Sequence, residues 1–277
     1  MTRTAPPAPG GGGEGRPRRR GIWVLLAVGT ALAVVMPAGL RVYGTAIRRT
    51  VFDTVVHHRP VSEVEIDAGR ARVTVGPGRA GQVRVFRRLT WAFSRPEVEQ
   101  IWAGDVLLVR FTCEGDKGIY SDMECGADLD LQVPPRVRIR ATADSGEVRV
   151  RGIEGDLRLE ARSGLLDMAE IRGRVWARAA SGRITGTGLA VPELEAEVGS
   201  GRIGVGFAVP PRRVKASAGS GEVRVTVPRG SYYGVEVESG TGDVRVDPAL
   251  DDRSSPRTIV AKVGSGPVRI GYHGASG

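Results

Sequence analysis

Residues 175–205 read VWARAASGRITGTGLAVPELEAEVGSGRIGV, and this stretch decides the fold. It contains one pattern twice: a short alternating segment, a Ser-Gly pair, and a second alternating segment. Alternation of apolar and polar residues with a period of two is typical of half-buried β-strands. Glycine after the serine can adopt the positive φ that a sharp corner requires. The stretch therefore predicts pairs of strands joined at Ser-Gly corners.

The Ser-Gly pair recurs along the second half of the chain. Its serines are Ser145, Ser163, Ser181, Ser200, Ser220, the slightly displaced Ser239, and Ser265. Successive spacings are 18, 18, 19, 20, 19 and 26 residues, and a polar insertion at 248–257 accounts for the last. Stacked repeats can bury an apolar face that one repeat cannot. We therefore predict an all-β fold, a parallel β-solenoid-like stack of two sheets built from 18–20-residue repeats. An antiparallel sandwich of hairpins is the alternative.

The alternation also predicts which side chains face inward. Those expected to be buried are Val148, Val150, Leu157, Leu159, Val175, Ile184, Val198, Ile203, Val223, Val225, Val237, Val244 and Val268. Those expected to be exposed are Arg149, Arg158, Arg178, Glu195, Lys215, Arg224 and Glu236. Coils stacked in chain order would give two outward columns, one of Arg158, Trp176, Glu195, Lys215 and Glu236, the other of Glu160, Arg178, Glu197, Ser217 and Glu238. Opposite charges on neighbouring strands stabilise a sheet.

Upstream of the repeats, the segment 61–135 also alternates as strands do, with only a weak helical period at 96–103. It contains the chain's two cysteines, Cys113 and Cys125. We predict a disulfide between them, closing a loop between two strands and stabilising the fold by about 3 kcal/mol. Two reduced thiols are the alternative.

The N-terminal segment has a different character. Residues 21–40 are uncharged and follow Arg16, Arg18, Arg19 and Arg20. Twenty helical residues rise about 30 Å, the thickness of a bilayer core. This predicts a single-pass membrane protein held in the lipid bilayer by a helix, with its N-terminus cytoplasmic and its C-terminal domain extracytoplasmic. A cleaved signal peptide is the alternative.

The predicted organisation has five parts. They are a disordered basic cytoplasmic arm (1–20), a transmembrane helix (21–41), a linker (42–60), an N-terminal β region with the disulfide loop (61–135), and the Ser-Gly repeat region (136–277). Of the chain's formal charge of +9, most lies in residues 1–60, which hold nine arginines and two acidic residues. The remainder is nearly neutral with mixed signs, which argues against nucleic acid as a partner.

Residues 61–272 resemble a bacterial β-strand-repeat family of unknown function that is often labelled "putative adhesin". The resemblance rests on the Ser-Gly repeats, the junction Val133-Pro134-Pro135, and the segment RRLTWAFSRPEVEQIWAGDVLLVRFTCEG at 87–115. An arginine-rich arm and one apolar span before such a domain are similar to its actinobacterial members. The resemblance implies a β-solenoid-like fold in the cell envelope, and it implies no catalytic residues.

No catalytic, cofactor-binding or metal-binding residue is predicted, since the few histidines lie apart from any patterned serine or cysteine. Trp176 and Arg158 are candidates for a surface contact, either stacked on each other or as a sugar platform. The sequence favours a non-enzymatic module for adhesion or scaffolding, with a cell-wall polymer or an envelope protein as partner. The alternatives are a partner in envelope-stress signalling and a polysaccharide-processing enzyme using Asp167 beside Arg149 and Arg183.

Overall fold

The computed structural model describes residues 18–46, 49–92, 95–113 and 125–274, and within the helix the side chains of residues 21 and 23–36. The chain divides into two compact units, Met1–Ile47 and Arg48–Gly277. In the first unit the described residues form one helix, α1 (Arg18–Ala46). The described residues of the second unit form strands and their connections.

The prediction of a membrane anchor at 21–41 is wrong, and with it the single-pass localisation. In the part of the chain that the structure describes, no helix is both long enough and apolar enough to span a membrane.

Seventeen strands form the described part of the second unit. They are β1 (Arg49–His57), β2 (Glu63–Asp67), β3 (Arg72–Pro77), β4 (Val83–Trp91), β5 (Pro96–Ala103), β6 (Val106–Cys113), β7 (Cys125–Val133), β8 (Arg138–Ala143), β9 (Glu147–Arg151), β10 (Leu157–Ala169), β11 (Val175–Leu189), β12 (Glu193–Phe207), β13 (Arg213–Val227), β14 (Gly234–Thr241), β15 (Val244–Val246), β16 (Thr258–Ser265) and β17 (Val268–Tyr272). The weakly helical segment 96–103 is a strand because it pairs antiparallel with β6. The segment 42–60 contains β1, which pairs antiparallel with β4.

The strands form two stacks that share one core. The first sheet runs β5-β6-β2-β8-β10-β11-β12-β13-β16-β14. The second sheet runs β1-β4-β7-β3-β9-β10-β11-β12-β13-β17-β15. Strands β10 to β13 pass through both sheets and bend at their Ser-Gly corners. Every pairing between Ser-Gly coils is parallel, which confirms the solenoid and excludes the hairpin sandwich.

Glycine at the corner is required by close approach between coils. At Gly201 φ is +139°, and a Cβ there would overlap the carbonyl oxygen of Gly182 in the coil before it. Gly221 repeats this geometry against Gly201. The backbone of each coil therefore packs directly on the last, as the Ser-Gly repeats predict.

The coils do not stack in chain order, which corrects the predicted columns. The final coil, β16 and β17, lies between β13 and the coil of β14 and β15. Val260 therefore separates Lys215 from Glu236, and Lys262 separates Ser217 from Glu238. The inward residues supply a physical reason. β16 turns only apolar side chains inward, namely Ile259, Ala261 and Val263. In β14 the residue in register with Val263 is Ser239, an inward hydroxyl without a hydrogen-bond partner among the described residues, which costs less at the end of the stack than in its middle.

The burial prediction holds except in the end coil. Val237 is only half-buried and Val244 is 46% exposed, because β14 and β15 are covered on one side only. The other residues predicted to be inward are buried. Among those predicted to be outward, Arg149 and Glu195 are half-buried and the rest are exposed.

Candidate functional surface

Cys113 and Cys125 are joined in a disulfide, with their Cα atoms 6.3 Å apart. Cys113 ends β6 in the first sheet and Cys125 begins β7 in the second. The bond thus closes one coil at the corner where the repeat coils carry Ser-Gly. The intervening residues 114–124 lie outside the described part of the chain.

Arg158 and Trp176 lie side by side on the outer face of the first sheet. The guanidinium carbon of Arg158 is 4.0 Å from the centre of the Trp176 ring, a contact of about 0.5–1 kcal/mol at an exposed site. Arg158 also pairs with Glu160 at 3.1 Å. A sugar could therefore stack on that face of the ring only after displacing Arg158.

On the outer face of the first sheet, positive and negative side chains lie next to each other. Successive coils present a column of alternating sign, which consists of Glu63, Arg138, Asp156, Arg174, Glu193 and Arg213. Arg138 lies 3.3 Å from Glu63, and Arg174 lies 2.9 Å from Asp156. Burial opposes ionisation of Asp156, but hydrogen bonds and attraction from Arg174 lower its pKa below the usual value. In the next column Lys215 pairs with Glu195 at 2.7 Å. Along these two columns most charges have a counter-charge on a neighbouring strand, whereas Arg158, which is in register with Arg140, pairs with Glu160 on its own strand.

The second sheet differs over its C-terminal coils. We call the outward positions of β11, β12, β13 and β17 in this sheet the arginine shelf. Its charged residues are Arg183, Arg202, Arg224, Arg269 and one carboxylate, Glu222, and its floor consists of Thr185, Gly204, Gly206, Thr226 and Gly271. Like charges are neighbours here: Arg183 is in register with Arg202, and Arg224 with Arg269. The shelf crosses four strands, about 14 Å along the solenoid axis.

Glu222 binds three of these arginines. Its carboxylate oxygens lie 2.8 Å from Arg202, 2.8 Å from Arg224 and 2.7 Å from Arg269. Burial opposes its ionisation, but the hydrogen bond and attraction from Arg224, with Arg202 and Arg269, lower its pKa below the usual value. No carboxylate of the described residues pairs with Arg183. The shelf therefore has an excess of positive charge.

Gly204 leaves the middle of the shelf without a side chain, although the backbone at this position does not require glycine. Its φ is not positive, and a Cβ there would meet nothing within 4 Å. Glycine inside a strand costs about 0.5–1 kcal/mol relative to alanine, and it often marks a place where a ligand approaches the backbone closely.

An open groove runs between the shelf and the Ser-Gly corners. Its volume is about 720 Å³, and Arg183, Arg202 and Glu222 line one side above a floor of corner glycines. Ser181, Ser200 and their counterparts in neighbouring coils stand exposed in register along the corner. Guanidinium groups and hydroxyls therefore follow the same axis, one set per coil.

The candidate catalytic residue Asp167 lies at the edge of this surface. It accepts a hydrogen bond from Thr185 at 2.6 Å and lies 4.0 Å from Arg149 and 3.9 Å from Arg151. In register its neighbours are Arg149 and Thr185, while Arg183 is opposite Leu165. Across the described residues, no group of three or more His, Cys, Asp or Glu side chains could hold a metal ion.

Sequence reasoning missed the arginine shelf. Arg183 and Arg269 are far apart in the chain, and Arg224 meets Arg269 only because β17 pairs with β13. The signal within reach was Ser-Gly-Arg-Ile, which occurs at 181–184 and again at 200–203. Parallel stacking of those two repeats places their arginines side by side.

Solved structures of similar shape include two named for adhesion. A "putative cell adhesion protein" from Clostridium sporogenes has 12% identity and a TM-score of 0.44, covering 81% of this chain and 100% of that one. A "putative adhesin" from Parabacteroides merdae has 13% identity and a TM-score of 0.44, covering 80% and 96%. A "putative lipid binding protein" from Parabacteroides distasonis has 9% identity and a TM-score of 0.43, covering 81% and 96%. Scores this low carry no argument about function.

No curated protein matches the chain. A family match covers residues 136–277, half of the chain and the whole of the Ser-Gly repeat region. The Ser-Gly repeats of that region are one of the features on which the resemblance rests, and the chain belongs to the Toastrack DUF4097 family.

Proposed function

We propose that the solenoid is a binding module of the adhesion or scaffolding type that holds an extended polymer along the arginine shelf without chemical turnover. The observation that carries this is the shelf itself: a flat, open strip across four coils, with glycine at a position where the backbone does not require it. A floor without bulky side chains lets an extended chain lie close to the strands.

A repeating ligand suits a repeating surface. Each coil offers similar groups about 4.8 Å further along the axis. Weak contacts repeated at a fixed spacing add up when one polymer engages several of them. A cell-wall polymer therefore fits better than a compact envelope protein. Catalysis would need titratable groups gathered where water is excluded, whereas outward side chains of a sheet face stand in open solvent.

The experiment is co-sedimentation of the full chain with insoluble cell-wall polysaccharide. Gly204→Trp should abolish binding, because an indole would cover the shelf, while a Cβ at this position meets no neighbour. Thr142→Trp is the matched control, since Thr142 is an exposed strand residue on the outer face of the first sheet. Circular dichroism should show both variants folded.

Retention of the polymer by Gly204→Trp, or equal loss in both variants, would remove the shelf as the binding surface. Release of soluble sugars during incubation, abolished by Asp167→Asn, would establish an enzyme instead.

A further inference from the structure

The like-charge pairs on the shelf need an explanation that stability does not supply. Side chains directly opposite each other on neighbouring strands interact, and like charges there are destabilising. On the first sheet, the column from Glu63 to Arg213 alternates in sign in every coil. In the column beside it Arg140 is in register with Arg158, but each of these arginines has a carboxylate of its own, Glu65 for Arg140 and Glu160 for Arg158. The arginine shelf breaks that rule at Arg183 beside Arg202 and at Arg224 beside Arg269. Places where a sequence violates its own local rule are commonly functional sites.

Glu222 compensates only part of this charge. It pairs with three of the four arginines at 2.7–2.8 Å, so one negative charge faces four positive ones. The carboxylate also fixes the directions of three guanidinium groups before any ligand arrives, which reduces the entropy lost on binding. Arg183, at the other end of the shelf, pairs with no carboxylate of the described residues, so its N–H donors can bind a ligand.

We propose that the arginine shelf selects a linear anionic glycan lying along the solenoid axis, with one guanidinium available per coil. The proposal rests on the proposed function and names the class of polymer. Guanidinium groups bind carboxylate, phosphate and sulfate groups through paired N–H donors. The four arginines lie on four consecutive strands in two register rows, Arg183 with Arg202 and, two residues further along the strands, Arg224 with Arg269. Within each row the strands are about 4.8 Å apart, which is close to the length of one sugar unit in an extended glycan.

The rest of the shelf favours sugars over nucleic acid. Thr185 and Thr226 place hydroxyls on the floor, and the exposed serines of the corner add more along the groove. Proteins that bind single-stranded nucleic acid stack bases on aromatic side chains. None of the shelf residues, all of which the structure describes, is aromatic. One imidazole, that of His273, lies against Gly206 at the end of the floor, with its Nε2 2.7 Å from the Phe207 carbonyl oxygen.

The test measures affinity of the full chain for three polymers: polygalacturonate, with one carboxylate per sugar; dextran, which is neutral; and poly-dT. A polyphosphate arm then separates carboxylate from phosphate as the preferred anion. We expect polygalacturonate to bind more tightly than dextran, with affinity that falls as salt rises. Arg183→Gln with Arg202→Gln should weaken this binding roughly tenfold and lower the salt slope by about two.

The matched control is Arg178→Gln with Lys215→Gln. It removes the same formal charge from the outer face of the first sheet, and we expect less than a twofold change. Both double variants keep the basic residues 1–60, so the contribution of that segment is equal in the two measurements.

Equal losses in the two double variants would reduce the effect to net charge and overturn the proposal. Dextran binding as tight as polygalacturonate binding, and sensitive to Gly204→Trp, would keep the shelf but remove its anionic selectivity. Tighter binding of poly-dT through Arg183 and Arg202 would make the partner a nucleic acid. Absence of binding to every polymer would refute both this inference and the proposed function.

Discussion

Two glycines in β12, three residues apart, should respond in opposite directions to the same substitution. Gly201 has a φ of +139°, and an alanine Cβ there would overlap the Gly182 carbonyl oxygen. Gly204 has no positive φ and open space around the position of a Cβ. Gly201→Ala therefore strains the backbone and separates two coils, whereas Gly204→Ala only removes conformational freedom from the unfolded chain.

The magnitudes follow from these geometries. A residue forced into a glycine-only region costs about 1–3 kcal/mol, and displacement of the Gly182 carbonyl weakens coil-to-coil hydrogen bonds by roughly another 1 kcal/mol. Gly201→Ala should thus lower the free energy of unfolding by about 3 kcal/mol in total. Gly204→Ala should raise it by about 0.5–1 kcal/mol. Urea unfolding followed by far-ultraviolet circular dichroism measures both against the parent chain.

At a typical dependence on urea, the loss at Gly201 corresponds to a midpoint lower by about 1 M or more. A Gly201→Ala variant as stable as the parent would refute the argument that corner glycines allow the close stacking of coils. A Gly204→Ala variant as unstable as Gly201→Ala would show that Gly204 has a structural role, and would remove one support of the proposed binding surface.

Three further outcomes are expected. Replacing Cys113 and Cys125 together by alanine should lower the free energy of unfolding by about 3 kcal/mol, and a thermal melt that is unchanged by reductant would contradict this. Val244→Ala should lower the free energy of unfolding by less than about 1 kcal/mol, and Val225→Ala by about 2 kcal/mol. The reason is that Val244 is 46% exposed in the end coil, whereas Val225 is fully buried. Equal losses in urea titrations would place β15 inside the stack. The pKa of Glu222 is lowered in the folded protein, so ionised Glu222 should stabilise the fold above a pH of about 4.5, the range of an unfolded glutamate. This stabilisation should disappear as the pH falls through the lowered pKa of the folded state. An acid-unfolding curve identical to that of Glu222→Gln would refute it.

Local rules made much of the fold predictable. Alternation with a period of two identifies the inward side chains because successive residues of a strand point to opposite faces. The Ser-Gly corner and the parallel coils follow from repetition, since only stacking covers the apolar face of each repeat. The burial of Val244 was predicted wrongly because burial also depends on contacts between coils. Val244 alternates as an inward residue does, but its coil is the last of the stack, so the side chain is 46% exposed.

The anchor prediction was made from the uncharged run at residues 21–40 and the arginines before it. Within the described residues, no helix is both long enough and apolar enough to span a membrane.

The sequence by itself determined the strand repeat, the direction of each side chain and the glycines of the corners, because these depend on neighbours within one coil or the next. Only the tertiary structure decided which coils touch. The insertion of β16 and β17 beside β13 brings Arg269 against Arg224 and Glu222, residues separated by more than forty positions in the chain. Hydrogen-bonded strand edges can accept any compatible coil, so the order is set by the coil that buries its inward face best. That order adds Arg269 to the candidate binding surface.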